Sequence, residues 1–448
     1  MSDRLTPGGF VPGPFEHDAP SAVGVIDLDS SLHPRTPDGE PFGEPETDAL
    51  VLVRLHGDPL GTIHLHRAAS IEGNRLPASL RGPIAAHRAR HGCAPGSTGC
   101  PGNLPREPVE PAGVIVCTAG RPAQLGCCLR SLLRDQRDFE LLVVDNRPSE
   151  PATRRVVSEL ARDDARLRYV AETRPGLSAA RNRGLAESTA ELVAFTDDDV
   201  IVEPCWLSWL LDAFAEPGVL ISCGLVLPLE LQTPAQKRFE RYDGFSKGFV
   251  RREFHAATGQ ARGRLLYPFI NGVIGTGNSM AFRRRELLAL GGFDPALGAG
   301  TRARAGEETC AFAALLLSGG RAVYQPRALC WHEHRRDEQA LRSQVQAYGI
   351  SVGAIIARAV RTEPRLLRTA MAALPIALGL SAAPSDPRMG PASGLRPTEL
   401  DRLRRRAMLV GPLRYAQALR EARAHEQRHS QAERAEQPGD RIGSSQGV

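Results

Sequence analysis

The sequence predicts an α/β fold in which helices flank a mostly parallel sheet. Between residues 113 and 199, short buried runs rich in Val, Ile and Leu alternate with longer segments whose apolar residues recur at helical spacing. This alternation is typical of strand–helix–strand units, which place their strands parallel in one sheet. The apolar runs also end in polar or charged residues, and such sheets bind ligands beyond the carboxyl ends of their strands. A binding site is therefore expected at that edge.

Each element of this unit follows from a local pattern. The β-branched run "GVIVCT" (113–118) predicts the first strand, and "LGCCLRSLLRD" (125–135) carries apolar residues at helical spacing. By the same criteria, strands are predicted at 139–146, 167–172 and 191–199, and helices at 152–164 and 177–189. Further on we expect a strand at 219–228, a strand and a short helix within 275–294, a helix at 306–320 and a strand ending at Cys330.

The composition of the chain divides it into five segments. Residues 1–48 are rich in Pro, Gly and acidic residues without a period, which predicts a disordered or loosely attached N-terminus. A small β-containing module, with two strands around the turn "GDPLG", occupies 49–111, and the α/β domain occupies 112–340. A helical extension at 341–425, basic from about residue 400, precedes a polar, disordered tail at 426–448.

Composition and charge limit the classes of function. The 448 residues are 42% hydrophobic and 24% charged, so a sizeable core is expected. A formal net charge of +5 is too small to indicate a protein that binds nucleic acid. The N-terminus does not resemble a secretory signal, and the apolar run at 369–383 is short and interrupted by Pro375. We therefore expect a cytoplasmic protein whose cysteines are mostly free thiols.

Two features outside the α/β domain leave alternatives open. The apolar run at 369–383 and the Arg-rich helix at 402–423 either bind peripherally to the inner membrane face or pack against the α/β domain. The loop "CAPGSTGC" (93–100) contains two cysteines. A metal-binding pair would need closer spacing and two further ligands nearby, so we expect a surface loop with free thiols.

Three consecutive carboxylates, Asp197, Asp198 and Asp199, end the fourth strand. Like charges this close repel each other unless a cation neutralises them. Side chains alternate in an extended segment, so Asp197 and Asp199 should share one face while Asp198 points away. Mg²⁺ and Mn²⁺ bind carboxylates and leave positions that substrate phosphates can fill. The pattern predicts a divalent-metal site for a phosphorylated ligand, with an inert, solvated acidic loop as the alternative.

Further polar residues follow the neighbouring strands at the same edge. A helix N-terminus together with Arg side chains favours binding of a diphosphate. The residues expected to contact a nucleotide or its phosphates are Thr118, Arg121, Asp145, Arg174, Arg181 and Asn182. Arg181 could instead form a salt bridge, and Asp145 could instead stabilise a turn.

Six motifs occur in the order "VIVCTAGRP", "LLVVDN", "RPGLSAARNRGL", "VAFTDDDV", "GTGNSMAFRR" and "GGFDPALGAGTRARAGEE". Together they resemble family 2 glycosyltransferases with the GT-A fold, a Rossmann-like arrangement, over roughly residues 112–336. The resemblance implies inverting transfer of a sugar from a nucleotide-diphosphate donor to an acceptor hydroxyl, assisted by Mg²⁺ or Mn²⁺. The acceptors that it allows include glycans, lipid-linked glycans and small molecules.

The resemblance also implies roles on the donor side. The three aspartates match the family's DXD-type motif, which binds the metal and the ribose and diphosphate of the donor; Asp197 and Asp198 would contact the nucleotide sugar. Asp145 matches the acidic residue that contacts the nucleotide base. A late histidine assists in some enzymes with this fold, so the expected metal ligands are Asp199, Asp197 and His332, with His334 as a weaker candidate.

On the acceptor side the sequence departs from the family pattern. The general base is usually the Asp of a Glu-Asp pair at a helix start, whereas this chain has Glu307 and Glu308. We expect Glu308 to be the base, with Glu307 as the alternative and a purely helix-stabilising pair as another. The longer side chain moves the carboxylate, and a misplacement of about 1 Å can reduce a rate on the order of 100-fold. The "GTGN" turn at 275–278 should border the acceptor.

Three other classes of protein remain as alternatives. A nucleotide-dependent oxidoreductase would need a Gly-rich turn after the first strand, and "CTAGRPAQLG" does not provide that fingerprint. A nucleotidyltransferase would need a Gly-rich, Lys-containing loop at the same place. A non-catalytic relative that binds a nucleotide sugar stays open because of the departure at Glu308. Detection of donor hydrolysis or sugar transfer would separate the last class from the enzyme.

Overall fold

The computed structural model describes residues 20–29, 31–40, 48–65, 78–94, 97, 99–100, 104–106, 110–258, 266–269, 272–377 and 398–436. The parts of the segments 1–48, 369–383 and 426–448 that fall elsewhere lie outside the described residues. The N-terminal elements are β1 (Ser21–Asp27), β2 (Ser31–Arg35), β3 (Asp48–Leu55), β4 (Asp58–Leu65) and α1 (Ala78–His91).

The α/β domain and the helices after it follow in chain order. The first half contains β5 (Ala112–Thr118), α2 (Pro122–Leu133), β6 (Glu140–Asp145), α3 (Pro151–Leu160), β7 (Leu167–Ala171), α4 (Leu177–Glu187), β8 (Leu192–Asp197), β9 (Val200–Val202) and α5 (Trp206–Asp212). The second half contains β10 (Val219–Pro228), α6 (Pro234–Asp243), β11 (Arg252–Phe254), β12 (Met280–Arg283), α7 (Arg284–Ala289), α8 (Glu307–Leu317) and β13 (Arg321–His332). The last helices are α9 (Glu338–Thr362), α10 (Leu366–Ala377) and α11 (Glu399–Glu436).

A nine-stranded sheet forms the centre of the α/β domain. Its strand order is β11-β13-β10-β12-β8-β5-β6-β7, with β9 paired to β13. Strands β8, β5, β6 and β7 are parallel, as the alternating pattern predicts. Strand β12 runs antiparallel to both of its neighbours, β8 and β10. The prediction of a mixed α/β fold with helices flanking a central sheet is confirmed.

Both faces of the sheet are buried, which explains the continuous apolar runs in its strands. Along β5, Ile115 belongs to one buried cluster, whereas Val114 and Val116 belong to the cluster on the opposite face. Helices α4 and α8 contribute to the first cluster, and helices α2 and α5 to the second. The polar residues that end β5, β6 and β8 therefore gather at the carboxyl edge of a sheet that is covered on both faces.

The N-terminal residues form a second sheet, of four strands in the order β2-β1-β3-β4. The expectation of disorder over 1–48 is therefore wrong for β1 and β2. Strand β1 pairs with β3 along its whole length, a partner that the composition of the flanking Pro- and Gly-rich residues does not reveal. The hairpin turn between β3 and β4 is His56–Gly57, earlier than predicted. Both residues have positive φ, 51° and 79°, as two-residue hairpin turns require.

The small sheet packs on the main domain with one face. Val23, Val25, Leu50 and Leu52 belong to the same buried cluster as Leu227 of β10. The opposite face of the small sheet has its own core with α1, made of residues that include Ile26, Val51, Val53, Ile63 and Leu80. The two sheets therefore share one continuous apolar core.

The C-terminal helices pack closely. A Cβ atom on Gly353 of α9 would lie 2.1 Å from the Met408 carbonyl oxygen of α11, so only glycine fits there. The expectation of a disordered tail from residue 426 is wrong as far as Glu436, because α11 continues through residues with good helix propensity. Within the described residues, no helix is both long and apolar enough to cross a membrane.

Candidate active site

A cavity of about 730 Å³ opens at the carboxyl ends of β5 and β8. The turn after β5, the end of β8 and the "GTGN" turn at 275–278 form one side of it. The end of β13 borders Asp199 on this same side, and the start of α8 and one face of α9 complete the lining. The cavity therefore lies at the edge where the parallel strands predict a ligand.

The three aspartates alternate as predicted. Asp197 and Asp199 line the cavity, whereas Asp198 is fully buried. Asp198 accepts a 2.7 Å hydrogen bond from the Thr118 hydroxyl and lies 2.7 Å from the guanidinium of Arg121. Burial raises the pKa of Asp198 to about 7. The predicted donor contact of Asp198 is corrected accordingly: this carboxyl is covered and holds Thr118 and Arg121, which themselves line the cavity.

Asp199 lies between two nitrogen-bearing side chains. The Arg121 guanidinium approaches Asp199 Oδ2 at 2.5 Å, and Nε2 of His332 lies 3.4 Å from Asp199 Oδ1. Oδ1 accepts no hydrogen bond from any residue in the described part of the chain. Arg121 thus neutralises part of the aspartate cluster, and the second oxygen of Asp199 faces the imidazole.

The tautomer of His332 follows from its neighbours. Nε2 of His334 donates to the Glu240 carboxylate at 2.9 Å, and in the neutral ring Nδ1 of His334 is then an acceptor. Nδ1 of His332 lies 3.0 Å from that acceptor and must donate to it, which leaves a lone pair on Nε2 of His332. Burial lowers the pKa of His332 to about 3, so the ring stays neutral near pH 7. His334 is buried behind His332 and does not line the cavity, so it positions His332.

Arg181 joins the two acidic sides of the cavity. Its guanidinium lies 2.7 Å from Glu307 Oε1 and 3.3 Å from Asp197 Oδ1. Asp197 also accepts a 2.9 Å hydrogen bond from the side-chain amide of Asn278. A Cβ atom on Gly277 would lie 2.8 Å from Arg181, so glycine lets the "GTGN" turn pass close to this side chain. Arg181 is therefore a buried salt-bridge residue in the cavity wall.

Glu307 and Glu308 begin helix α8, and both line the cavity. Gly306 precedes them with φ of 97°, a conformation that strongly favours glycine. Burial, reinforced by the neighbouring Glu308 charge, raises the pKa of Glu307 to about 8 even though Arg181 opposes the shift. Glu308 is only partly buried. Glu307 therefore keeps its proton to a higher pH than an ordinary glutamate, which makes it a poor base near neutral pH.

Asp145 does not line the cavity. It is fully buried, and its oxygens accept 2.9 Å hydrogen bonds from the Arg147 backbone N–H and the Tyr169 hydroxyl. The alternative of a turn-stabilising role is the one that the structure favours. The neighbouring Asn146 lines the cavity in its place.

Arg174 and Asn182 do not line this cavity, so their contact with the donor stays a prediction. Arg174 forms a paired contact with Glu172, with distances of 3.0 and 2.6 Å. Asn182 exchanges hydrogen bonds with the backbone of Phe293 at 2.7 and 2.8 Å. Both side chains stabilise the loops beside α4.

Several cavity residues were not predicted from the sequence. Four further basic side chains line the cavity: Lys247, Arg304, Arg335 and Arg404. Helix α9 contributes a wall that includes Gln344, Tyr348 and Ser351. Arg335 could have been suspected because it follows His332 closely, but no motif marks the residues of α9 and α11. This basic lining suits an anionic ligand near the carboxylates.

Comparison with known proteins identifies the class of this domain. Residues 113–288 match the model of the family described as glycosyl transferase family 2. These residues, about two fifths of the chain, therefore resemble a family 2 glycosyltransferase domain, and five of the six motifs lie within them.

Two curated relatives illustrate the similarity. The chain is 29% identical over 184 residues to the pre-mycofactocin glycosyltransferase of Mycobacterium tuberculosis, covering 41% of this chain and 35% of that protein. It is 30% identical over 220 residues to the succinoglycan biosynthesis protein ExoM of Rhizobium meliloti, covering 48% of this chain and 63% of that protein. The chain therefore spans less than two thirds of the length of each.

Solved structures also resemble the chain. One is a mannosyltransferase from Pyrobaculum calidifontis in complex with GDP-Man and Mn²⁺, with a TM-score of 0.41 and 20% identity, covering 74% of this chain and 78% of that one. Another is GalNAc-T7 with UDP, GalNAc and Mn²⁺, with a TM-score of 0.40 and 16% identity, covering 58% of this chain and 51% of that one.

Proposed function

We propose that this protein transfers a sugar from a nucleotide-diphosphate donor to an acceptor hydroxyl, with inversion at the anomeric carbon. One observation carries the proposal: a single cavity joins Asp197, Asp199 and His332 on one side to Glu308 on the other. Its basic side chains suit a diphosphate, and its acidic residues suit a metal and a general base. A glycan, a lipid-linked glycan or a small molecule would serve as the acceptor.

The residues around Asp199 fit a divalent cation. Asp199 Oδ1 and the Nε2 lone pair of His332 face each other at 3.4 Å, and two acceptors in that position need a positive charge between them. Asp199 and His332 would hold Mg²⁺ or Mn²⁺. Asp197 lies nearby but already accepts hydrogen bonds from Arg181 and Asn278. The ion, when bound, would offset the charge that develops on the departing nucleoside diphosphate.

Two sets of side chains, the basic residues of the cavity and the glutamates of α8, would carry out the protein's part of the reaction. Arg121 and the other basic side chains of the cavity would bind and orient the diphosphate through charge-assisted hydrogen bonds. Glu308 would accept the proton of the acceptor hydroxyl on the opposite side of the sugar. Glu307 would hold Arg181 in position, since the two side chains are 2.7 Å apart and buried.

A thermal-shift panel of nucleoside diphosphates and nucleotide sugars, with and without Mn²⁺, tests the donor site. We expect one nucleotide to stabilise the wild type in the presence of Mn²⁺, by about 2–3 kcal/mol at roughly 100-fold excess over its Kd. Asp199→Ala should lose this shift, whereas Glu159→Ala, at an exposed position on α3, should keep it. If no nucleotide stabilises the wild type, the donor site is refuted.

Sugar transfer is then measured with the nucleotide that binds. Transfer to an acceptor, or slow hydrolysis of the donor, supports the enzyme. Tight donor binding with neither reaction would instead support the non-catalytic relative that the Glu308 departure leaves open.

A peripheral membrane contact is a further part of the proposal. On α11, Leu409, Val410 and Leu413 are 57%, 43% and 62% exposed, and arginines surround them in the sequence. An apolar strip with basic neighbours favours the surface of an anionic membrane.

We expect the wild type, but not Leu409→Ser/Leu413→Ser, to sediment with anionic liposomes at low salt. If the wild type stays in the supernatant, this contact is refuted. A cytoplasmic location stays a prediction.

A further inference from the structure

A cluster of metal-ligating side chains lies in the N-terminal module, away from the cavity. One ligand atom of each of its four residues lies within 4.8 Å of every other. We call it the Cys2His2 cluster, and its members are His56, His87, Cys93 and Cys100. The structure thus corrects the expectation of a surface loop with incidental thiols, because the two missing ligands come from elsewhere in the chain.

Three separate elements bring the four side chains together. His56 occupies the hairpin turn between β3 and β4, with φ of 51°, a conformation that is uncommon for a residue other than glycine. His87 lies on the buried face of α1 and is 3% exposed. Cys93 follows the end of that helix, and Cys100 ends the loop. The hairpin, the helix and the loop therefore converge on one point.

Hydrogen bonds determine which ring nitrogens face the cluster. Nε2 of His56 lies 2.8 Å from the Ser97 carbonyl oxygen, which can only accept, so Nε2 carries the proton. Nδ1 of His87 lies 2.7 Å from the Asp58 carboxylate and carries the proton for the same reason. Metal-binding histidines characteristically donate their second N–H to a carbonyl or carboxylate in this way.

The two ring nitrogens that point into the cluster carry no proton and are therefore hydrogen-bond acceptors. Nδ1 of His56 and Nε2 of His87 are 3.2 Å apart, and Cys100 Sγ lies 2.8 and 3.1 Å from them. One thiol proton cannot satisfy both lone pairs at once. A cation at the centre satisfies all of them.

We propose that the Cys2His2 cluster binds one structural zinc ion. Two thiolates and two neutral imidazoles form a closed tetrahedral set, which is typical of structural rather than catalytic zinc sites. With Zn–N near 2.0 Å and Zn–S near 2.3 Å, the ligand atoms would stand roughly 3.3–3.8 Å apart, so the distances among His56, His87 and Cys100 would lengthen by less than about 1 Å on binding. Binding releases the two thiol protons to solvent and involves no redox change.

A second group, Asp58 with His87 and His91, lies beside the cluster and shares one of its histidines. Asp58 is already paired with the Arg327 guanidinium of the main domain. That pairing leaves less negative charge for a cation, and the group offers no thiolate. Asp58 is therefore a positioning residue for His87.

The first experiment is metal analysis of the purified full chain by mass spectrometry. We expect about one zinc ion per chain in the wild type, and less than about a tenth of that in Cys93→Ser/Cys100→Ser. Cys127→Ser is the matched control, because this thiol is exposed on α2 and outside the cluster, so its zinc content should not change. Asp199→Ala should also keep its zinc, which separates this site from the donor site.

A second measurement does not depend on the folding of a variant. The wild type is loaded with Co²⁺ in place of zinc, and its visible spectrum is recorded. Tetrahedral d–d bands with a thiolate-to-cobalt charge-transfer band support the proposal. A wild type that takes up neither metal overturns it, as does zinc that persists in the double variant. A Cys93–Cys100 disulfide in protein purified without an oxidant also overturns it.

Discussion

Substitution of Gly353 by Ala tests the contact between α9 and α11. The new Cβ would lie 2.1 Å from the Met408 carbonyl oxygen and 3.0 Å from the Gly411 Cα, both of them backbone atoms. Ordinary contact needs at least 3.4 Å, so the two helices must separate locally by roughly 1.3 Å. This clash cannot be relieved by moving a flexible side chain, because both contacted atoms belong to the backbone of α11.

The expected loss of stability combines two opposing effects. Overpacking of this kind destabilises by about 1–3 kcal/mol. Replacing a helical glycine by alanine returns about 1 kcal/mol through helix propensity. We therefore expect Gly353→Ala to lower the free energy of unfolding by up to about 2 kcal/mol, measured by urea denaturation.

The same shift should weaken nucleotide binding, because α9 carries Tyr348 and Ser351 into the cavity wall. Gly126→Ala on α2 is the matched control. Its Cβ would meet only the tip of Arg130 at 3.4 Å and Val156 at 3.6 Å, so a small gain in stability is expected. If Gly353→Ala is as stable as the wild type and binds the nucleotide equally well, the close contact between α9 and α11 does not position the α9 wall of the cavity.

Two further predictions concern the start of α8. Glu308→Gln should reduce sugar transfer by about 10²–10⁴-fold while the thermal shift with the nucleotide is kept, because only the proton acceptor is removed. Transfer at the wild-type rate would exclude Glu308 as the base, and Glu308→Asp serves as the conservative control. The second prediction is that Glu307 makes stability fall between about pH 4.5 and pH 8, since its pKa is about 8 in the folded protein and near 4.5 when unfolded. Urea midpoints of Glu307→Gln, measured without added metal, should fall less steeply over this range than those of the wild type, and parallel curves would contradict the shift.

The sheet and its binding edge could be predicted because their causes are local. Strands β5, β6 and β8 are short apolar runs rich in β-branched and other apolar residues, and their length and composition distinguish them from the longer helices between them. Alternation along the chain also placed Asp197 and Asp199 on one face and Asp198 on the other. The "GEE" start of α8 was recognisable for the same reason, as a helix that begins with glycine and two acids.

The remaining site residues depend on contacts between distant parts of the chain. Arg174 turned away from the cavity because Glu172, two residues earlier, binds its guanidinium. The position of α9 as a cavity wall follows from its packing against α11, which no short pattern encodes. The Cys2His2 cluster was missed because His56 lies more than thirty residues before Cys93 in the sequence. Spacing rules for metal ligands apply to neighbours in the sequence, whereas these ligands are neighbours only after folding.

The shared core of the two sheets also affects how the protein can be divided. A shortened chain that began at Ala112 would keep every residue proposed for catalysis. It would also uncover the surface around Leu227 that Val23, Val25 and Leu50 now cover. Exposed apolar surface of this kind promotes aggregation, so the shortened chain should aggregate more readily than the full chain. The N-terminal module thus shields apolar surface of the domain that follows it, and a shortened chain should include both.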